Sequence, residues 1–204
     1  MQADAVADQP RHQHISFEQI AGDEHAPHPT QLRPFLKLQC ACQRRQHHAG
    51  ARAAADGQPP RVTRTDLRTG RVEVLADSYQ GMSFRGTNDV TIDGRGRLFF
   101  TDPGGSAVYR IDAPGQVTRV LSSPAIERPN GLQISPDDRT LYIIEAGAAP
   151  SGPRMIRAFD LQPDGTAANG RVLFDFPGRS ADGMSVDVQG NLYVSAGLNA
   201  LAPP

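Results

Sequence analysis

Short alternations of apolar and polar residues dominate the chain after residue 60. Three stretches share one order: "TNDVTIDGRGRLFFTD" at 87–102, "RPNGLQISPDDRTLYIIEA" at 128–146 and "ADGMSVDVQGNLYVSA" at 181–196. In each stretch an amide or carboxylate residue precedes a short apolar alternation, a polar turn and a second apolar segment. Alternation of this length, bounded by Gly, Pro or Asp, is typical of paired β-strands. The pattern therefore predicts three antiparallel hairpins.

Further hairpins are predicted before and between these three repeats. The stretches "RVTRTDLRTGRVEVLAD" (61–77), "AVYRIDAPGQVTRVL" (107–121) and "MIRAFDLQPDGTAANGRVLFDF" (155–176) each place a turn between two apolar segments. Inner and outer hairpins thus alternate along the chain. No stretch after residue 60 has a helical period, so we predict an all-β fold.

The spacing of the repeats indicates the architecture. Asn130 follows Asn88 by 42 positions, and Asp182 follows Asn130 by 52, whereas one four-stranded propeller blade takes ~40–45 residues. A sandwich or barrel would also be built from short hairpins, but a repeat near blade length favours small sheets packed radially. Residues 61–204 would supply roughly three to four blades, so we expect a partial β-propeller.

Residue usage changes abruptly near residue 60. All six histidines, both cysteines and the single lysine precede this point. No strand or helix pattern of any length precedes it either. The change predicts an irregular segment over 1–60, unrelated in origin to a propeller domain over 61–204. The histidines and cysteines lack zinc-finger spacing, so we expect no native metal site among them.

Composition excludes several classes of partner. The net charge is −1 and no basic stripe is present, so nucleic acid is not an expected partner. Two cysteines give no disulfide framework. Neither a signal-peptide core nor a run long enough to span a bilayer occurs. We therefore expect a cytoplasmic protein without a membrane partner.

The residues that lead the three repeats permit two interpretations. Asn-Gly and Asp-Gly pairs favour tight turns, so Asn130 and Asp182 could be purely structural. However, residues that head the innermost strands of a propeller point into the mouth of its channel, and amide and carboxylate oxygens are the ligands that hard cations prefer. Carboxylates in the hairpin turns are expected for turn formation alone. These are Asp93, Asp137, Asp138 and Asp187.

The three repeats, taken in order, resemble the central signatures of the gluconolactonase family, which includes regucalcin (senescence marker protein 30). "RVTRTDLRTGRVEVLAD" resembles the outer hairpin that precedes them in that family. The resemblance implies a six-bladed β-propeller, of which this chain would hold a part. It also implies a hydrolase that opens sugar lactones with one divalent cation, calcium or zinc.

By this resemblance, Asn130 and Asp182 are direct ligands of the cation. Asn88 lines the same site and contacts the substrate or a metal-bound water. Asp182 is also the best candidate for the general base, since it would lie beside the attacking water. Arg85 is a candidate substrate contact, although the family places its arginine two residues before the asparagine, where this chain has Gly86.

The departures from the family pattern predict an incomplete site. The family's first blade carries a Glu-Gly-Pro motif whose Glu is a further ligand, and Glu18 is only faintly comparable to it. The resemblance also stops near residue 196, before a blade is complete. We therefore expect a gene truncated or frame-disrupted at both ends.

Two functions remain open at this stage. One is a metal-dependent lactonase impaired by the loss of a carboxylate ligand. The other is a non-catalytic propeller fragment that acts as a binding module, because open edge strands pair readily with another chain or with a second copy.

Overall fold

The computed structural model describes residues 58–147, 152–176 and 180–197, together with the backbone of Leu36–Cys40. All of them belong to one unit, Pro34–Pro204. Among these residues there are fifteen β-strands, one short 3₁₀ turn and no α-helix. None of the described residues belongs to a helix long and apolar enough to cross a membrane. The prediction of an all-β fold is confirmed.

The strands and the 3₁₀ turn have the following bounds. They are β1 (Leu36–Cys40), β2 (Val62–Asp66), β3 (Val72–Ala76), β4 (Ser78–Tyr79), β5 (Met82–Ser83), β6 (Val90–Ile92), β7 (Leu98–Asp102), a 3₁₀ turn (Pro103–Gly105), β8 (Ala107–Ala113), β9 (Gln116–Ser122), β10 (Pro129–Ile134), β11 (Thr140–Ala146), β12 (Arg154–Leu161), β13 (Ala167–Asp175), β14 (Ala181–Val186) and β15 (Leu192–Ala196).

Consecutive antiparallel strands form each sheet. The four-stranded sheets β6–β7–β8–β9 and β10–β11–β12–β13 follow the order of the chain, and they are flanked by the β1–β2–β3 sheet and the β14–β15 pair. Strand β10 contacts β6 and β7 on one side and β14 on the other. The first strands of successive sheets thus lie side by side, as in a β-propeller. The predicted partial propeller and its alternating inner and outer hairpins are confirmed.

Strand β1 was not predicted from the sequence. It pairs with β2 in antiparallel register, from Leu36 opposite Asp66 to Cys40 opposite Val62. Its five residues, "LKLQC", alternate too briefly to be separated from irregular sequence. The rest of the 1–60 segment up to residue 57, with Glu18, lies outside the described residues.

The core is built from alternate residues of the same strand. Strand β7 is buried at all five positions. Phe99 packs in a cluster with Leu132 and Leu141 of the following sheet, whereas Phe100 stacks on Tyr109 at 5.3 Å in a cluster with residues of the preceding strands. Because successive side chains of a strand point to opposite faces, one strand joins both neighbouring sheets.

The hairpin turns use their carboxylates as the sequence indicates. Asp93 Oδ1 accepts hydrogen bonds from the amides of Arg95 at 3.0 Å and Arg97 at 2.9 Å. Asp187 Oδ1 accepts two equivalent bonds in the last hairpin. Asp138 accepts a bond from the Gly94 amide of the preceding sheet at 2.9 Å. Turn formation therefore accounts for Asp93 and Asp187, whereas the Asp138 side chain connects its turn to the preceding sheet.

Replacing Phe99 with Ala should lower the free energy of unfolding by about 3–5 kcal/mol, because it leaves a cavity between two sheets. Phe99 is fully buried, whereas Val188 is 84% exposed. Val188→Ala, the control, should change the same free energy by less than about 0.5 kcal/mol. Urea denaturation measures both values, and equal effects would mean that the two sheets do not share a core.

Candidate functional site

Asn88, Asn130 and Asp182 line one pocket of about 320 Å³ at the heads of the innermost strands. Asn130 lies in β10 and Asp182 in β14, whereas Asn88 lies two residues before β6, and each of the three is half-buried. The other lining residues are Asp89, Gln133, Gly183 and Met184. The structure thus brings together three of the residues that the sequence singled out. Their chemical roles stay predictions.

A β-bulge directs Asn130 into this pocket. The register of β10 against β11 shifts by one residue between Pro129 and Leu132. Asn130 and Gly131 therefore lie together opposite Ile144. A bulge turns the affected side chains away from the regular alternation, and bulges are common beside functional sites.

The same irregularity occurs at Asp182. The register of β14 against β15 shifts between Ala181 and Met184, so that Asp182 and Gly183 lie together opposite Ser195. The Ser195 hydroxyl accepts a hydrogen bond from the Gly183 amide at 3.0 Å. The Asn-Gly and Asp-Gly pairs of the sequence thus lie in β-bulges within strands and not in turns.

Asn88 and Asp89 show a related arrangement. The Asn88 amide donates to the carbonyl oxygen of Thr101 at 2.9 Å, and the Asp89 amide donates to the Thr101 hydroxyl at 3.1 Å. Both residues therefore face a single residue of β7. All three repeats present their leading polar residue in a similar backbone setting.

Asn130 and Asp182 are in direct contact. The Asn130 amide nitrogen Nδ2 donates a hydrogen bond to Asp182 Oδ1 at 3.1 Å. Strands β10 and β14 approach closely at this contact. A Cβ atom added to Gly131 would lie only 2.6 Å from the carbonyl oxygen of Asp182. Gly131 is therefore needed for the close backbone approach.

Asp89 is a pocket residue that the sequence reasoning missed. Its Oδ2 accepts a hydrogen bond from the Leu132 amide at 3.1 Å, and its Oδ1 accepts one from the Val90 amide at 2.9 Å. Burial raises the pKa of Asp89, while these two amides oppose the rise. One signal in the sequence could have identified it, since an acidic residue stands where the other two repeats have glycine.

Gln133 is the second residue that was missed. Its side-chain oxygen accepts a hydrogen bond from the Thr91 hydroxyl at 3.2 Å, and its Nε2 donates to the carbonyl oxygen of Met184 at 3.3 Å. One side chain thus connects β6, β10 and β14 beside the pocket. No sequence signal distinguishes it from an ordinary polar residue of a strand.

Arg85 is not among the described residues that line the pocket. Its side chain is exposed, and its backbone amide donates to Asp102 Oδ2 at 3.1 Å. Asp102 is buried, it also accepts a bond from the Gly105 amide at 3.3 Å, and burial raises its pKa. The structure therefore places the backbone of Arg85 with the 3₁₀ turn.

Glu145 binds the backbone of the segment that precedes β10. It is 1% exposed, and its carboxylate accepts hydrogen bonds from the amides of Glu127 at 3.0 Å and Arg128 at 2.8 Å. These bonds hold the segment that leads directly into Asn130. Buried carboxylates need such partners, because an unpaired buried charge is costly.

The side-chain atoms of the pocket that could bind a metal ion are oxygens. Among the described residues, no three His, Cys, Asp or Glu side chains lie close enough to hold a metal ion. The pocket offers two carboxylates, from Asp89 and Asp182, together with the amide oxygens of Asn88, Asn130 and Gln133. This set suits a hard cation better than a thiophilic one.

Replacing Gly131 with Ala should destabilise the fold by about 1–3 kcal/mol, since the new Cβ would collide with the backbone of β14. Gly183 offers a matched control, because a Cβ there would meet only the Ser195 hydroxyl, at 3.6 Å. Gly183→Ala should change the free energy of unfolding by less than about 1 kcal/mol. Urea denaturation of both variants tests this, and equal losses would contradict the close approach of β10 and β14.

A comparison with known proteins places these observations in a family. The family model described as "SMP-30/Gluconolactonase/LRE-like region" matches residues 21–199. The match begins well before residue 61, where the composition changes. The fold and the three repeats both lie within it.

Individual relatives agree with this match. A gluconolactonase of Zymomonas mobilis is 29% identical over 174 residues, which cover 73% of this chain and 48% of that protein. The lactonohydrolase oryL of Aspergillus oryzae is 26% identical over 171 residues, with coverage of 68% and 39%. A solved gluconolactonase structure from Xanthomonas campestris superposes with a TM-score of 0.55 at 29% identity, and it covers 66% of this chain and 48% of that one.

The chain spans about half the length, or less, of these relatives. The family model nevertheless covers most of the chain, including all the residues of the pocket. The chain therefore belongs to the SMP-30/gluconolactonase/LRE-like family.

Proposed function

We propose that this chain hydrolyses sugar lactones and that the pocket of Asn88, Asn130 and Asp182 holds a calcium ion for this reaction. The observation that carries the proposal is that these three side chains, one from each successive repeat of the chain, line one pocket. The activity is supported by relatives named gluconolactonase and lactonohydrolase.

The chemistry of the donors favours calcium over zinc. Zinc sites in proteins are built mainly from Cys sulfur and His nitrogen. Calcium takes six to eight oxygen ligands from carboxylates, amides, backbone carbonyls and water. A pocket whose side chains offer amide and carboxylate oxygens fits the second description.

The contact between Asn130 and Asp182 also fits two ligands of one cation. Their polar atoms lie 3.1 Å apart. A half-turn of the Asn130 amide exchanges its nitrogen and oxygen, so that two oxygens would then face each other. Two such oxygens repel unless a cation lies beside them, and a bound calcium ion would therefore stabilise the rotated amide.

The side chains of the pocket would divide the reaction among them. A bound calcium ion supplies Lewis-acid polarisation of the lactone carbonyl. Asn88 orients the substrate by hydrogen bonding. Asp182 accepts a proton from the water that attacks the carbonyl carbon, and it returns this proton to the ring oxygen as the ring C–O bond breaks. The product is the open hydroxy acid.

Replacing Asp182 with Asn should abolish calcium-dependent hydrolysis of an aldonolactone. The change keeps the size and an acceptor for Asn130, but it removes the negative charge and the proposed base. Asp160→Asn is the control, because Asp160 lies on β12, outside the pocket, and pairs with Arg171. A pH-stat assay with and without chelator measures the rates. Full activity of the Asp182 variant, or of the parent protein in excess chelator, would refute the proposal.

Replacing Asn130 with Ala should weaken calcium binding more than it slows hydrolysis at saturating calcium. A neutral amide oxygen can help to position the cation but cannot accept the proton. We expect the calcium concentration for half-maximal rate to rise at least tenfold, with a smaller loss of the maximal rate. Titration of the rate with calcium checks this, and a variant that loses only maximal rate would assign Asn130 a different role.

A further inference from the structure

Thr101 connects two of the leading residues of the repeats. It lies in β7 and is fully buried. Its hydroxyl donates a hydrogen bond to the backbone carbonyl of Asn130 at 2.7 Å and accepts one from the backbone amide of Asp89 at 3.1 Å. One side chain thus links the start of β6 to the bulge of β10.

The direction of both hydrogen bonds is determined by the partners. A carbonyl oxygen can only accept and an amide N–H can only donate, so the single hydroxyl hydrogen of Thr101 is committed to Asn130. The carbonyl of Asn130 lies inside the bulge, where the register of β10 and β11 is interrupted. Loss of the hydroxyl would leave two partly buried backbone groups without this partner, which is costly.

The fold itself does not require a hydroxyl at this position. Ile144 lies opposite the bulge of β10 as Thr101 lies opposite Asn88 and Asp89, and it is fully buried. Ser195 lies opposite the bulge of β14, but its hydroxyl bonds Gly183 within its own hairpin. The bond between sheets at Thr101 is therefore a local feature of the pocket.

We propose that Thr101 is a positioning residue for Asn130. By bridging the Asn130 carbonyl and the Asp89 amide, its hydroxyl sets the backbone of the bulge and so directs the Asn130 side chain towards Asp182. The consequence for calcium affinity rests on the proposed function. The orientation of Asn130 does not, and it can be measured without calcium or substrate.

The test compares three variants of the full chain. Thr101→Val keeps the shape and removes the hydroxyl, while Thr101→Ser keeps the hydroxyl. Ser135→Ala is the control. It removes a buried hydroxyl just beyond the other end of β10, where Ser135 accepts a bond from the Thr140 amide at 2.9 Å.

Two readouts separate positioning from stability. In nitrogen-15 NMR spectra without calcium, Thr101→Val should shift the side-chain amide signals of Asn130, whereas Thr101→Ser and Ser135→Ala should leave them near those of the parent. In calorimetric titration with calcium chloride, Thr101→Val should bind about 10- to 100-fold more weakly, as is typical when a partner of a metal ligand is lost. Thr101→Ser should restore the affinity, and Ser135→Ala should lower only the urea midpoint.

The outcomes distinguish the positioning role of Thr101 from the proposed function of the pocket. Unchanged Asn130 signals in Thr101→Val would overturn the positioning role, whatever the calcium affinity. If the signals shift but the parent protein neither binds calcium nor hydrolyses lactones, the positioning role stands and the proposed function fails. If Thr101→Val does not fold, Thr101→Cys replaces the hydroxyl with a weaker hydrogen-bond donor and lacks the γ-methyl group. A shift of the same Asn130 signals is expected of it, and unchanged signals would overturn the positioning role.

Discussion

The close approach of the innermost strands at their bulged ends is the constraint on which the pocket depends. Gly131 allows the backbones of β10 and β14 to come within a distance that a Cβ atom would forbid. Asn130 and Asp182 are in contact because of this approach. Bulges at both positions turn polar side chains towards the same point. The site is thus a consequence of backbone geometry at three strand ends.

Polar side chains in and beside the pocket hold this geometry by bonds between strands. Asp89 bonds the Leu132 amide of the next sheet, Thr101 bonds the Asn130 carbonyl, and Gln133 reaches the carbonyl of Met184. Each bond joins two neighbouring sheets and opposes their displacement relative to each other. Hydrogen bonds are directional, so they determine the offset of neighbouring strands along their axes as well as their separation. Burial raises the pKa of Asp89, because it disfavours the charged carboxylate, and the amides of Leu132 and Val90 oppose this rise.

The fold could be predicted from the sequence because its signal is local and repeated. Alternating stretches such as "GRLFFTD" and "RTLYIIEA" identify strands, and their spacing near blade length identifies the propeller. The convergence of Asn88, Asn130 and Asp182 could be anticipated because each heads an inner strand. Thr101 and Gln133 could not, since their partners on other sheets lie at sequence distances of 29 to 51 residues. Asp89 was marked only by standing where the other two repeats have glycine. The short strand Leu36–Cys40 was missed for a different reason. Its five residues are too few to show a strand pattern, and the strand is defined by its backbone pairing with β2.

The most direct test of the central claim is a crystal structure of the protein grown with calcium, with anomalous difference density used to locate the ion. One peak is expected in the pocket, at about 2.3–2.6 Å from a side-chain oxygen of Asn130 and from the carboxylate of Asp182. The Asn130 amide is expected to be rotated relative to its hydrogen-bonded state. A peak only at exposed turn carboxylates such as Asp187, or none at saturating calcium, would contradict the claim that these strand ends form a cation site.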